Sequence, residues 1–292
     1  MDARALFLRM AVCGCVLGAA AGAGAVELER SRLPEGSKLA HEPYATTDGK
    51  YVLLPHMIGR FWLPVTMVAR GWCHNAALSV FDGASGKYIN TVLLDDPDLG
   101  ACEPWDVVAD DKRIVVAHSG SSELSVIDRA AFERRLAERK DKDLSTDMSF
   151  MVGIRTRVKT PKQGPRKLKL ENGEPVVTEY FQDQPGVTKG ELLFNDARLC
   201  HQQWHSCATC HPDGRGDGQS WAFPRKAGFN QPELSCDFET LEMTDEEIDA
   251  RMMRSVAPAL FVNLADELPL EMGKYVRAVR KRGREREQQR KK

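Results

Sequence analysis

The sequence predicts a multidomain chain, β first and then α: antiparallel sheets in two to three propeller-like blades, followed by an α-helical domain. Three observations predict it. The pentapeptides LSVFD (78–82) and LSVID (124–128) stand 46 residues apart, close to the length of one blade. The runs around them are alternating or β-branched and end at DG, SG and DD turns, as antiparallel strands do. Beyond residue 183 the apolar residues recur at helical spacing instead, around the run CHQQWHSCATCH (200–211). The expected boundaries are 1–25 for a leader, 26–182 for the β part, 183–282 for the helical part and 283–292 for a basic tail.

Residues 1–25 read as a secretory signal. Arg4 and Arg9 precede the apolar run AVCGCVLGAAAGAGA, and Ala23 and Ala25 fit the −3 and −1 positions of a cleavage site near Ala25. The run is shorter than the roughly 20 apolar residues that a membrane span needs. No later segment is apolar enough to cross a bilayer. The sequence therefore predicts an exported, extracytoplasmic (in a bacterium, periplasmic) protein with no membrane span.

In the β part, DGKYVLLPH (48–56), NAALSVFDGASGKYINTVLL (75–94) and DDKRIVVAHSGSSELSVID (110–128) carry the strand pattern. QGPRKLKLENGEPVVTEYF (163–181) is a partial third echo, and ERRLAERKDKDLSTDMS (133–149) interrupts the strands with a charged, helical connection. These runs resemble blades of the seven- or eight-bladed quinoprotein-like and lactonase-like propellers. A closed propeller needs four to eight blades. Two to three leave sheet edges unpaired, so self-association or a partner chain is expected there. His56, Trp72, His74, Trp105 and His118 fall in or beside the strands and read as rim residues rather than metal ligands.

CATCH (207–211) is the chemical centre of the sequence. A zinc site normally takes four ligands, and no second CxxC exists. A redox CxxC pair is expected beside a thioredoxin-like βαβ pattern, which is missing. Cys-x-x-Cys-His is the c-type haem attachment sequence: Cys207 and Cys210 reach the two vinyl groups, and His211 lies under the iron. The predicted cofactor is one covalent haem c with its iron. If haem takes those two thiols, the remaining Cys73, Cys102, Cys200 and Cys236 pair most simply as Cys73–Cys102 and Cys200–Cys236 in an oxidising compartment.

The flanks extend the signal. KGELLFNDARLCHQQWHSCATCHPDGRGDG (189–218) resembles the first haem site of the di-haem cytochrome c peroxidase family, in the branch that joins a β-propeller to the haem region. Gly190, Leu193, Phe194, Asp196, Arg198, Leu199, Ser206, Cys207, Cys210 and His211 stand at that motif's places. The family's enzymes use two haems, whereas this sequence has one CxxCH. The resemblance thus implies an α-helical cytochrome c domain that transfers single electrons to and from a redox partner protein. The alternative is a peroxidase-like enzyme that reduces hydrogen peroxide.

The sixth ligand separates these two readings. No histidine follows His211, but Met243, Met252, Met253 and Met272 do. Met252 and Met253 fall in a helix capped by Thr244 and read mainly as core, while Met243 precedes the cap in a loop and is the expected distal ligand. Pro224 is placed to orient His211 through its carbonyl. His201 and His205 are expected as loop-surface residues. PLEMGKYVRAVRKR (269–282) reads as a closing helix with Leu270, Tyr275, Val276 and Val279 inward. From Arg277 on, nine Lys or Arg face two Glu although the net charge is −1. That reads as a solvated helix end and tail, and nucleic acid is not an expected partner.

Overall fold

The computed structural model describes residues 26–64, 67, 70–224, 230–234, 237–255 and 267–291. The predicted leader, with Cys13 and Cys15, lies outside them, as does Cys236.

The β part is built from a five-stranded and a four-stranded antiparallel sheet, one for each copy of the repeat. In the first, β1 (Ser37–Lys38) and β2 (Tyr44–Ala45) flank β3 (Tyr51–Gly59), followed by β4 (His74–Asp82) and β5 (Tyr88–Leu93). The second runs β6 (Pro104–Ala109), β7 (Arg113–His118), β8 (Glu123–Asp128) and β9 (Arg155–Lys159). LSVFD lies in β4 and LSVID in β8, each third in its sheet order. The equivalence reaches the interior. His56 Nε2 meets Ser79 Oγ at 2.8 Å, and His118 Nε2 meets Ser125 Oγ at 2.8 Å, so each repeat buries the same imidazole–hydroxyl pair. His56 and His118 are thereby satisfied core residues.

Proline in a central strand normally breaks the ladder. Pro55 of β3 is tolerated because its carbonyl accepts from the amide of His41, in the gap between β1 and β2. The missing N–H points the same way, toward an edge with no ladder to break.

One apolar layer joins the two sheets: Leu53, Met57, Leu78 and Val80 from the first meet Val107, Ile114, Val116 and Ile127 from the second. The charged connection starts as α1 (Arg129–Glu138), capped by the Asp128 side chain on the amide of Ala131. α1 sends Phe132 and Leu136 into the same layer, with Phe132 edge-on to Phe150. The third echo is the hairpin β10 (Pro165–Glu171) and β11 (Glu174–Tyr180). Its Leu168 packs on Val108, Val115 and Ala117 of the second sheet's outer face. The antiparallel sheets are consistent with a partial propeller-like β part.

The remainder uses shorter elements: α2 (Lys189–Phe194), α3 (Cys207–Cys210), β12 (Ser220–Pro224), β13 (Asn230–Leu234), α4 (Asp245–Ser255) and α5 (Glu267–Arg290). Phe194, Phe238, Ile248, Tyr275, Val276 and Val279 form its core. Gly190 of α2 is needed there, since a Cβ would lie 2.0 Å from the Glu271 carbonyl of α5. Three expectations need correction. The β12–β13 hairpin interrupts a region expected to be helical. Leu270 is exposed, because the inward stripe of α5 runs through Met272, Tyr275, Val276 and Val279. Residues 283–290 continue α5 rather than forming a separate tail, since nothing in RKRGREREQQR stops a helix before its end. Among the described residues no helix is long and apolar enough to cross a membrane.

Candidate functional site

The site is the α3 turn, and the β part holds it in place. Residues 202–204 lie directly against the first sheet, and two glycines permit the approach. The amide of Gly100 donates to the Gln202 carbonyl at 2.8 Å, and a Cβ at Gly100 would lie 2.5 Å from the Gln203 carbonyl. Gly71 (φ +69°) leaves room for the Trp204 ring, 2.5 Å from where its Cβ would be. Trp204 is buried against Ile58, Ala77 and Leu93.

α3 begins with a capping box. Thr209 Oγ1 accepts from the Ser206 amide at 2.9 Å, and the Ser206 side chain accepts from the amide at Thr209. Below this box sits Glu103, fully buried between Cys102 and β6. One carboxylate oxygen accepts from both hydroxyls, Ser206 Oγ at 2.6 Å and Thr209 Oγ1 at 2.9 Å. Burial raises the Glu103 pKa, and the two hydroxyl bonds oppose that shift.

Cys207 and Cys210 are free thiols, both half-buried, one helical turn apart. Cys207 packs on the helical core beside Met243 and Met252. Cys210 faces the other way, toward Trp221, Cys73 and Phe61, with its sulfur 3.4 Å from His74 Nε2. The His211 ring stacks on Phe238 at 4.6 Å, with Phe194 at 6.5 Å. Burial, then the Cys210 thiol and Glu103, push Cys207 up to about 12; burial pushes Cys210 up to about 11, with Lys38 opposing and Asp217 adding to the shift. Reactive CxxC pairs show the opposite shift, so these two are protonated thiols at neutral pH.

The other cysteines form a shell around α3. Cys73, Cys102 and Cys200 are buried thiols and not disulfides, which corrects the Cys73–Cys102 pairing. The two line different layers: Cys73 packs with Trp221, whereas Cys102 belongs to the inter-sheet core and lies 3.5 Å from Thr209 Oγ1. Cys200 is buried, and its expected partner Cys236 lies outside the described residues.

His205 is another correction. It is buried rather than on a loop surface, stacked on His74 with ring centroids 5.4 Å apart. Burial lowers the His205 pKa to about 4 and holds His74 well below its usual range. Nothing in the sequence signals this pair, because residues 74 and 205 meet only through the docking of 200–206 on the first sheet. Glu103 was equally silent.

Met243 and Met252 both reach the core that Cys207 touches, while the side chain of Met253 lies outside the described residues. Thr244 caps α4 as expected, its hydroxyl accepting from the Glu247 amide at 3.2 Å and its own amide donating to Glu247 Oε2 at 2.7 Å. Pro224 closes β12 opposite Asn230, its side chain outside the described residues. His41 stacks on Trp105 at 4.0 Å, and Trp105 stacks in turn on the Arg166 guanidinium. Among the described residues no three His, Cys, Asp or Glu side chains converge to hold a metal ion.

The fold and site define a β-sheet protein that presents a Cys–Cys–His turn on a helical appendage. No protein-family model matches the chain, and no curated protein matches it. A solved chain of hydrazine synthase from Kuenenia stuttgartiensis is similar at 21% identity, over 51% of this chain and 44% of that one, with a TM-score of 0.46. The chain thus spans less than half the length of that protein.

Proposed function

We propose that the protein is an exported single-haem c-type cytochrome that transfers single electrons, related to the di-haem cytochrome c peroxidases by the motif around α3. The observation that carries this is the donor set. Two unpaired, protonated thiols lie one turn apart, an imidazole follows at once, and aromatic and apolar side chains flank both thiols. A thiolate redox pair calls for lowered thiol pKa values, and a structural metal site calls for a converging third and fourth ligand. A covalent haem calls for neither.

In this reading Cys207 and Cys210 hold the haem by thioether bonds, and His211 binds its iron. The haem, when bound, supplies the one-electron ferric/ferrous couple. The chain's own side chains do the rest. Phe238 and Phe194 fix the plane of the His211 ring. Met243 reaches the same apolar core and is the proposed distal ligand, and Trp221 and Phe61 cover the Cys210 side. The single CxxCH favours carrying electrons over turning over peroxide.

The test is a pyridine haemochrome assay on protein matured with haem-attachment machinery, followed by optical spectra. The expected result is one haem per chain and a low-spin spectrum with a methionine-to-iron charge-transfer band that Met243→Ala removes. Two haems or none would sink the proposal. A high-spin protein that consumes peroxide would replace the carrier with the peroxidase.

A further inference from the structure

We infer that Glu103 is the positioning residue of the Cys207–His211 turn, acting through a single carboxylate oxygen. The inference deepens the proposed function and rests on it only for its haem readout.

Three observations converge on Glu103. It is 4% exposed, and both of its side-chain hydrogen bonds run to the capping box of α3, across more than a hundred residues of sequence. Its own backbone is over-determined. Its amide donates to Met57 Sδ at 3.3 Å, and its carbonyl accepts from Ser119 at 2.8 Å. These contacts hold it at φ +55°, a conformation that a side chain of this size seldom adopts. Strain of this kind persists only where the surroundings impose it.

The carboxylate is also not half of an ion pair. Arg166 and Lys38 act on it through space only, and the groups that touch it are the two hydroxyls. A carboxylate buried without a cation is costly unless its bonds do something specific. Here they fix the orientation of a four-residue helix that is too short to hold its own shape. Both thiols leave from that helix and the imidazole from the residue that ends it, so the angle set by Ser206 and Thr209 sets their divergence. Ser206 and Thr209 complete their box locally; Glu103 ties both of its hydroxyls to the β part, and the Cys102 thiol adds a longer contact to Thr209 alone.

Because Oε1 accepts both bonds, Glu103→Gln keeps the acceptor and loses only the acid. Glu103→Ala loses both bonds and leaves two buried hydroxyls without their partner. Hydrogen exchange of the full chain, read at the amides of Thr209 and His211, tests this with or without haem attached. Glu103→Ala should speed exchange there by roughly tenfold or more, following the cost of unsatisfied buried groups. Glu103→Gln should stay within about twofold of wild type, and amides of β3 and β4 should be unchanged in both. If Glu103→Ala unfolds the chain, Glu103→Leu removes the same acceptor while filling most of its space and leaving the capping box intact, and should give the same local acceleration. No acceleration in either variant, or Gln behaving as Ala, would overturn the inference. Haem content is a separate arm: matured Glu103→Gln should match wild type, and Glu103→Ala should carry several-fold less. Wild type without haem would refute the cofactor while leaving the exchange result to decide Glu103.

Discussion

The β part and the helical part are stabilised in different ways. In the β part the ladders from β3 to β5 and from β6 to β9 pair five to nine residues each, and one continuous apolar layer joins both sheets to α1. The helical part is made of elements as short as four residues, held by side-chain caps at Thr188, Asp196, Ser206, Asp237 and Thr244. The first kind of structure fails as a unit. The second fails locally, because each cap stabilises one turn and little else. The Cys–Cys–His turn belongs to the second kind but is anchored to the first, through Glu103, Gly100 and Trp204.

The largest effect should come from breaking the shared layer. Phe132 is fully buried where α1, both sheets and Phe150 meet. Phe132→Ala should cost about 3–5 kcal/mol, the usual penalty for a large core cavity. Thermal unfolding followed at Trp fluorescence and far-UV dichroism should shift together. If only one signal moved, the β part would not be a single cooperative unit.

Legibility in the sequence divides along the same line. The strand repeat was readable because period-2 patterning is imposed by backbone pairing and does not depend on distant partners. LSVFD and LSVID therefore located β4 and β8 correctly, and Thr244 announced its helix through local chemistry. CATCH was readable as a motif for the same reason. The buried His74–His205 stack, the shell of thiols and Glu103 were not, since each exists only where residues 200–209 dock on the first sheet. The β12–β13 hairpin and the exposed face of Leu270 were missed because helical spacing in short apolar runs does not distinguish which side finds a neighbour.

A second, smaller effect tests the buried imidazoles. Burial lowers His41, His56 and His205 to about 4 each. Their neutral forms are the folded ones, so their contribution is full above pH 6.5 and is lost as the pH falls toward 4. Asp95, fully buried under the first sheet, opposes them. Burial raises it to about 6, so it gains a proton in the folded state as the pH drops from 6 to 3.8. His74 and His118 are lowered by burial as well and act in the same direction as the other histidines, whereas Glu103 and Asp106 are raised by burial and act with Asp95. The five histidines outnumber the three acids, so near pH 5 unfolding takes up protons and stability falls as the pH falls, by about 1.4 kcal/mol per pH unit for each net proton. Urea titrations at pH 7, 6 and 5 should show that fall, and His56→Gln should make it shallower. A flat profile would mean that the imidazoles are hydrated, and that the β interior is more open than its packing indicates.

The smallest effect sharpens the contrast most directly. The Thr244 hydroxyl accepts from the Glu247 amide, and Glu247 returns a bond to the Thr244 amide, so the pair closes the first turn of α4. Thr244→Ala removes one of these bonds and should cost about 1 kcal/mol, as loss of a helix N-cap does. In a structure held together as one unit, that loss would appear in every slowly exchanging amide. In the helical part as built here, it should appear only at the start of α4, where hydrogen exchange at Glu247 and Ile248 should quicken by about fivefold. The amides of β3, β4 and β7 should keep wild-type rates. The Met243 carbonyl is held separately, by the Arg280 guanidinium from α5. Met243 should therefore stay in place when the cap is lost, and any haem band assigned to it should survive the substitution. Loss of protection in the β strands would mean that the two parts share a single cooperative unfolding, and the comparison would fail.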